Sequence, residues 1–268
     1  MKRTLLFVIC SFFALTMTAK TVTPAASLPA YYEAIDGKSG KSLFDAVQKV
    51  TKTGYSSLGY DGLWAAYKYT DLYDNGYVWD MYSDCTWKSI NSNHCGNYSD
   101  ECDCYNREHS IPKSWYGGTT SGPGCDIFHL VPTDGKVNGI RSNYPFGEVG
   151  SADYNKHGNK RGSAKSITIT GGNTIAGNTG TTVSASGTVF EPRDEYKGDF
   201  ARGYMGALLK WAGDKAFTEG EGSKTFTTNF STGSFGLTKY GVALLMKWHR
   251  QDPVSQKEVD RNNGIQQT

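Results

Sequence analysis

Five cysteines crowd between positions 85 and 125, namely Cys85, Cys95, Cys102, Cys104 and Cys125, and the sixth, Cys10, lies in an apolar run at the N-terminus. Cross-links so closely spaced would pin this part of the chain into a small, loop-rich knot, but only in an oxidising compartment. An odd count means that at least one thiol stays free or pairs elsewhere. The stretch "HCGNYSDECDC" also invites a zinc knuckle, but its C-x-C spacing fits no pair of C-x-x-C ligands. Disulfides are therefore favoured over a metal, with their connectivity left open.

The N-terminus supplies the compartment. Lys2-Arg3 precede "TLLFVICSFFALTM" and then the small residues Thr18-Ala19, the layout of a secretory signal peptide cleaved near residue 19. That run is too short for a comfortable membrane span, and no later segment is apolar enough for one. The expected product is a single mature domain, 20–268, secreted or periplasmic and monomeric. Losing Lys2 and Arg3 takes the formal charge from +2 to zero. A strongly basic nucleic-acid binder is thereby excluded, and any attraction for phosphate must be local. One local candidate is "KHGNKRGSAK" (156–165), which has no acidic residue; a solvated surface loop is the plainer reading.

Along the chain, "GKSGKSLFDAVQKV" lacks the first glycine of a phosphate-binding loop, since Ile35 stands there. It reads instead as a helix over 41–52, capped near Ser39 or Ser42 and burying Leu43, Phe44, Val47 and Val50. A short helix follows in "GLWAAYKYT", then a turn at Asn75-Gly76 and a strand in the alternating "YVWDMYS". Residues 151–189 turn to Gly, Ser, Thr and Asn, with short strands in "SITIT" and "TTVSASGTVF". Tyr196, Phe200, Tyr204, Leu208 and Trp211 recur at helical spacing. Two further helices follow, "KYGVALLMKWHR" and one opened by the capping box Ser255 to Glu258. The fold class is α+β.

Residues 105–146 stop looking like packing. An extended segment carrying Glu108-His109 leads to the Gly-rich "WYGGTTSGPGC", then to the extended "DIFHLVP" and a short helix bearing Val137, Asn138 and Arg141. Thr133 or Asp134 can cap that helix. The order is strand, loop, strand, helix: a ββα unit.

"NREHSIPKSW", "DIFHLVPTDGKVNGIRSNYPFGEV" and "DEYKGDFARGYM" together resemble the secreted bacterial endonuclease I family of the His-Me finger (ββα-metal) nucleases. The resemblance implies that His109 is the general base for the attacking water. It also implies that Glu108 and Asn138 are the two protein ligands of one divalent cation, Mg²⁺ or else Mn²⁺ or Ca²⁺. A carboxylate and an amide oxygen are hard ligands that suit such an ion. Arg141, one helical turn after Asn138, is a further candidate at the phosphate. Arg107, Lys113 and Arg202 are candidate substrate contacts, and His129 is read as a buttress of the hairpin. Where relatives often show histidine then asparagine, this chain has Phe128-His129, and its loop 114–125 lacks the arginine that many members place there. Relatives also continue past the last helix, whereas this sequence stops at "NNGIQQT", and a truncated C-terminus is an expectation this raises.

The function implied is a metal-dependent endonuclease that cleaves DNA, with RNA as a second substrate, shows little sequence preference and leaves 5′-phosphate ends. Two alternatives stand beside it: a secreted ribonuclease of the same fold, and a non-catalytic secreted protein. The latter would bind nucleic acid, or use its 17 tyrosines on a glycan. Nothing in a binding reading explains Glu108-His109 followed by Asn138 on a capped helix.

Overall fold

Two strands and a short helix carry the residues singled out above. β1 (Tyr105–His109) pairs antiparallel with β2 (Leu130–Asp134), in a register that sets Glu108 opposite Val131 and His109 opposite Leu130. The chain then turns directly into α3 (Gly135–Arg141), because the Asp134 carboxylate accepts the Val137 amide at 2.8 Å and closes the helix start. The computed structural model describes residues 33–171, 179–212, 214, 216–230 and 235–268. The leader expected at 1–19 lies outside the described residues.

The elements around this unit are α1 (Gly40–Lys52), α2 (Gly59–Thr70), α4 (Lys197–Trp211), α5 (Lys239–Gln251) and α6 (Gln256–Ile265). A three-stranded antiparallel sheet has the order β3 (Val149–Lys156), β4 (Asn159–Ala164), β7 (Thr188–Glu191). A two-residue pair, β5 (Ile167–Thr168) with β6 (Thr182–Val183), stands apart. One apolar cluster gathers on α4 and α5 and reaches Val131, Val137 and Phe146 beneath the ββα unit. A second, built on Leu63, Tyr67, Trp87, Tyr105 and Leu130, joins α2 to β1. The ββα unit is held between the two, and this gives its short strands a rigid bed.

Several expectations are met by local chemistry. At Ser255 half of the expected capping box forms: the Glu258 amide donates to Ser255 Oγ at 3.1 Å, while the Glu258 carboxylate is taken by Arg202. The turn at Asn75-Gly76 has Gly76 at φ +80°. Two disulfides form, Cys85–Cys102 and Cys95–Cys104, and Cys125 is the buried free cysteine among the described residues.

Others are corrected. "YVWDMYS" is no sheet strand: residues 78–83 are all buried, so both sides face protein and the alternation has no solvent side. Their backbone bonds go to loops instead, Val78 to Trp87 at 2.9 Å and Trp79 to Asp71 at 2.8 Å. α1 forms over the expected residues, but Leu43, Phe44, Val47 and Val50 are only half buried because the helix lies on the surface of α4. The basic stretch 156–165 lies in the β3–β4 hairpin, and two of its four Lys and Arg charges are spent locally. Lys156 meets Glu101 at 3.5 Å, His157 bridges Asp84 and Glu101, and Arg161 pairs with Asp153 at 2.9 Å.

Candidate active site

Alternation along β1 sorts the site into two sides. Asn106 and Glu108 point one way; Tyr105, Arg107 and His109 point the other. Asn138 belongs with the first set, because its Nδ2 donates to Asn106 Oδ1 at 2.6 Å. That bond fixes the amide and leaves Asn138 Oδ1 with no donor among the described residues. The side chains of Asn138, from α3, and Glu108, from β1, thus lie on the same side of β1.

Glu108 is 3% exposed. Its Oε1 accepts the Tyr82 hydroxyl at 3.0 Å and lies 3.2 Å from Arg141 Nη1, while Oε2 receives no hydrogen bond from the described residues. Burial pushes its pKa up to about 7, and neither the neighbouring guanidinium nor the Tyr82 hydroxyl cancels that desolvation. The carboxylate charge is under-compensated, and a cation beside it would supply the deficit. One such carboxylate together with an oriented amide oxygen is a donor set that fits a hard divalent ion.

His109 ends β1 and is 7% exposed. Its Nε2 lies 3.0 Å from the Gly124 carbonyl oxygen. A carbonyl only accepts, so Nε2 carries the proton and Nδ1 keeps its lone pair. Burial, helped by the nearby His129 ring, lowers the His109 pKa to about 3, so the neutral imidazole prevails at physiological pH. The Gly124 carbonyl is itself held by close packing. A Cβ on Gly124 would sit 2.1 Å from the Thr119 carbonyl oxygen, so only glycine lets the loop fold this tightly.

Arg141 is 1% exposed. Besides Glu108, Nη1 donates to the His109 carbonyl at 3.2 Å and Nη2 to the Ser110 carbonyl at 2.5 Å. The Tyr204 hydroxyl donates to the same Ser110 oxygen at 2.5 Å. Arg141 therefore grips the end of β1 from behind. Arg202 is likewise committed, with a two-pronged pair to Glu258 (2.5 and 2.6 Å) and a bond to the Asp252 carbonyl at 2.8 Å that lock α4 to α6. Arg107 donates to the Tyr60 carbonyl at 2.7 Å and to Asp61 at 3.1 Å. Lys113 is half exposed and makes no ion pair among the described residues. His129 is 2% exposed and donates from Nε2 to the Pro123 carbonyl at 2.7 Å, while its buried Nδ1 has no partner among the described residues.

Asn106, Tyr60, Tyr82, Gly124 and Tyr204 also build the site, and the sequence reading assigned none of them a part in it. Asn106 stands inside the quoted motif, two residues before Glu108, and strand alternation marks it. Nothing local marks Tyr82 or Tyr204, whose bonds to the site span 26 and 94 residues. A group formed by Cys85, Cys102 and Asp134 has metal-like proximity, but both sulfurs are in a disulfide. Asp134 is occupied there as a cap and as acceptor of the Cys102 amide at 2.7 Å.

This chain is similar to known nucleases over nearly its whole length. It is 32% identical to an extracellular ribonuclease of Bacillus amyloliquefaciens over 253 residues, covering 92% of this chain and 74% of the relative. It is 31% identical to an extracellular ribonuclease of Bacillus subtilis (strain 168) over 258 residues, covering 94% and 76%. The Endonuclease I family model matches residues 39–268, a span that contains the β1–β2 hairpin, α3 and all five helices around them. The chain belongs to the endonuclease I family.

Proposed function

We propose that this protein is a secreted, divalent-metal-dependent endonuclease that hydrolyses phosphodiester bonds in RNA and DNA with little sequence preference. The observation that carries this reading is the pairing of His109, neutral and with Nδ1 unprotonated, with Glu108 and Asn138, two oxygen donors on the other side of the same strand. The names of the two relatives favour RNA as a substrate beside the DNA that the sequence put first. Their extracellular description, the two disulfides, and the lack among the described residues of a helix able to cross a membrane support secretion.

In this reading Nδ1 of His109 takes a proton from a water as its oxygen attacks phosphorus. The bond from phosphorus to the 3′ oxygen breaks and that oxygen takes a proton from solvent water, leaving a 5′-phosphate and a 3′-hydroxyl. Glu108 and Asn138 would hold Mg²⁺, which when bound supplies stabilisation of the charge on the phosphate and the departing oxygen. Arg141 acts on the site by holding Glu108 and the main chain of 109–110. Lys113, whose ammonium makes no ion pair among the described residues, is the candidate contact for a neighbouring phosphate.

Cleavage of plasmid and of a single-stranded RNA, followed with Mg²⁺, with EDTA and in His109→Ala, tests the proposal. EDTA should stop cutting. The alanine variant should lose about 10²–10⁴-fold in rate while still binding nucleic acid. Cutting that survives EDTA, or an alanine variant as fast as wild type, removes the mechanism.

A further inference from the structure

One group of contacts beside His109 is left unused by that chemistry. Tyr60, near the start of α2, stacks on the His109 imidazole with ring centroids 5.6 Å apart and planes 23° apart. The same tyrosine ring meets the Arg107 guanidinium, whose carbon lies 3.6 Å from the ring centroid. That guanidinium also lies 4.5 Å from the Trp64 ring. Trp64, one helical turn after Tyr60, stacks on His94 at 3.7 Å and 13°. His94 in turn is fastened by Nε2 to the Ile90 carbonyl at 2.7 Å. A continuous train of flat groups therefore runs from the disulfide-bearing loop to the catalytic imidazole.

Each link restrains the next. Arg107 donates to the main-chain carbonyl of Tyr60, so it ties the first turn of α2 to β1 as well as packing on the ring. The hydrogen bond from His109 Nε2 to Gly124 fixes one ring atom but leaves the plane free to swing about that bond. The face of Tyr60 removes this freedom. With both restraints in place, Nδ1 is held in one direction before substrate arrives, which is the condition for proton transfer without reorganisation.

We infer that Tyr60, held in place by Arg107, is a positioning residue that sets the plane of the His109 imidazole. The inference rests on His109 being the general base. Arg107, for which the sequence suggested a substrate contact, thereby has a role that depends on its planar head group and not on its charge alone. Lysine keeps the charge but cannot reproduce the stack.

The test compares Tyr60→Leu, Tyr60→Phe and Arg107→Lys in the full-length protein with Mg²⁺. It uses steady-state cleavage of a single-stranded oligonucleotide together with NMR of the His109 ring protons. Tyr60→Leu and Arg107→Lys should lower kcat by about 10–100-fold with KM little changed, and Tyr60→Phe should restore kcat. The His109 ring protons, shifted upfield by the tyrosine ring in wild type and Tyr60→Phe, should move downfield in Tyr60→Leu. Undiminished kcat in Tyr60→Leu, a loss confined to KM, or unmoved His109 resonances would overturn the inference. Failure of the base assignment itself is read separately, from the activity of His109→Ala; the NMR measurement still reports on the stack in that case.

Discussion

At the scale of single residues, the site is governed by desolvation. Glu108 and Arg141 are both almost fully buried and 3.2 Å apart. Such a pair contributes little net stability, but breaking it strands a charge. Arg141→Ala should therefore destabilise the protein by about 3–5 kcal/mol, read from urea unfolding. Pairing it with Glu108→Gln should recover part of that loss; no recovery would show that the arginine acts only through the carbonyls of His109 and Ser110. Arg202→Ala breaks a pair that is less deeply buried, so its cost should be smaller, and it should leave kcat largely unchanged because the guanidinium holds α4 to α6 and no site residue. A kcat that collapses in Arg202→Ala without loss of stability would instead place this arginine at the substrate.

At the scale of elements, the helix that carries Asn138 depends on the disulfide loop. Asp134 caps α3 with Oδ1 and accepts the Cys102 amide with Oδ2. A Cβ on Gly135, the first residue of α3, would lie 2.4 Å from Cys95 Sγ. Both bridges therefore press on the N-terminal turn of a seven-residue helix that could not persist alone. Asp134→Ala should cost about 1–2 kcal/mol through the lost cap, measured by thermal or urea unfolding, and Asp134→Asn should retain most of it. Opening both disulfides with a reductant should lower cleavage before the far-UV signal of the larger helices changes. Full activity in protein whose thiol count proves both bridges open would refute that dependence. Element periodicity was legible here: α4, α5 and α6 follow from apolar spacing and caps. "YVWDMYS" misled because a segment enclosed on every side can alternate without pairing.

At the scale of the whole molecule, distant segments are clasped by His157, which turns the β3–β4 hairpin at φ +52°. It reaches Asp84 at 3.2 Å and Glu101 at 2.9 Å, 73 and 56 residues away. Burial works to lower the His157 pKa, but the hydrogen bonds to Glu101 and Asp84 outweigh it and raise the value. The two acids are correspondingly lowered, Asp84 chiefly by its bond to His157, and Glu101 by the same partner against the opposing pull of burial. The clasp is thus complete below the unfolded histidine value of ~6.5 and is lost as pH rises through the higher folded value. At the acid end it is lost as the carboxylates protonate, below ~4. Because the groups are partly exposed, the effect is small. The Tm of wild type should exceed that of His157→Gln by about 1–3 °C at pH 5.5, with the gap closing by pH 8.5. A gap that widens with pH would reverse the sign and refute the clasp.

The sequence by itself singled out Glu108-His109 as the candidate pair and determined the strand–loop–strand–helix order around it, the late helices and the oxidised state of most cysteines. Those are consequences of neighbours within a few residues: alternation, caps, turn residues and spacing. Only the tertiary structure decided which cysteines join, which nitrogen of His109 holds its proton, that Glu108 sits under-compensated beside Arg141, and that Arg202 is spent on Glu258. Each of these is a balance between desolvation and a partner brought from tens of residues away, and no local pattern encodes the distance over which such partners meet.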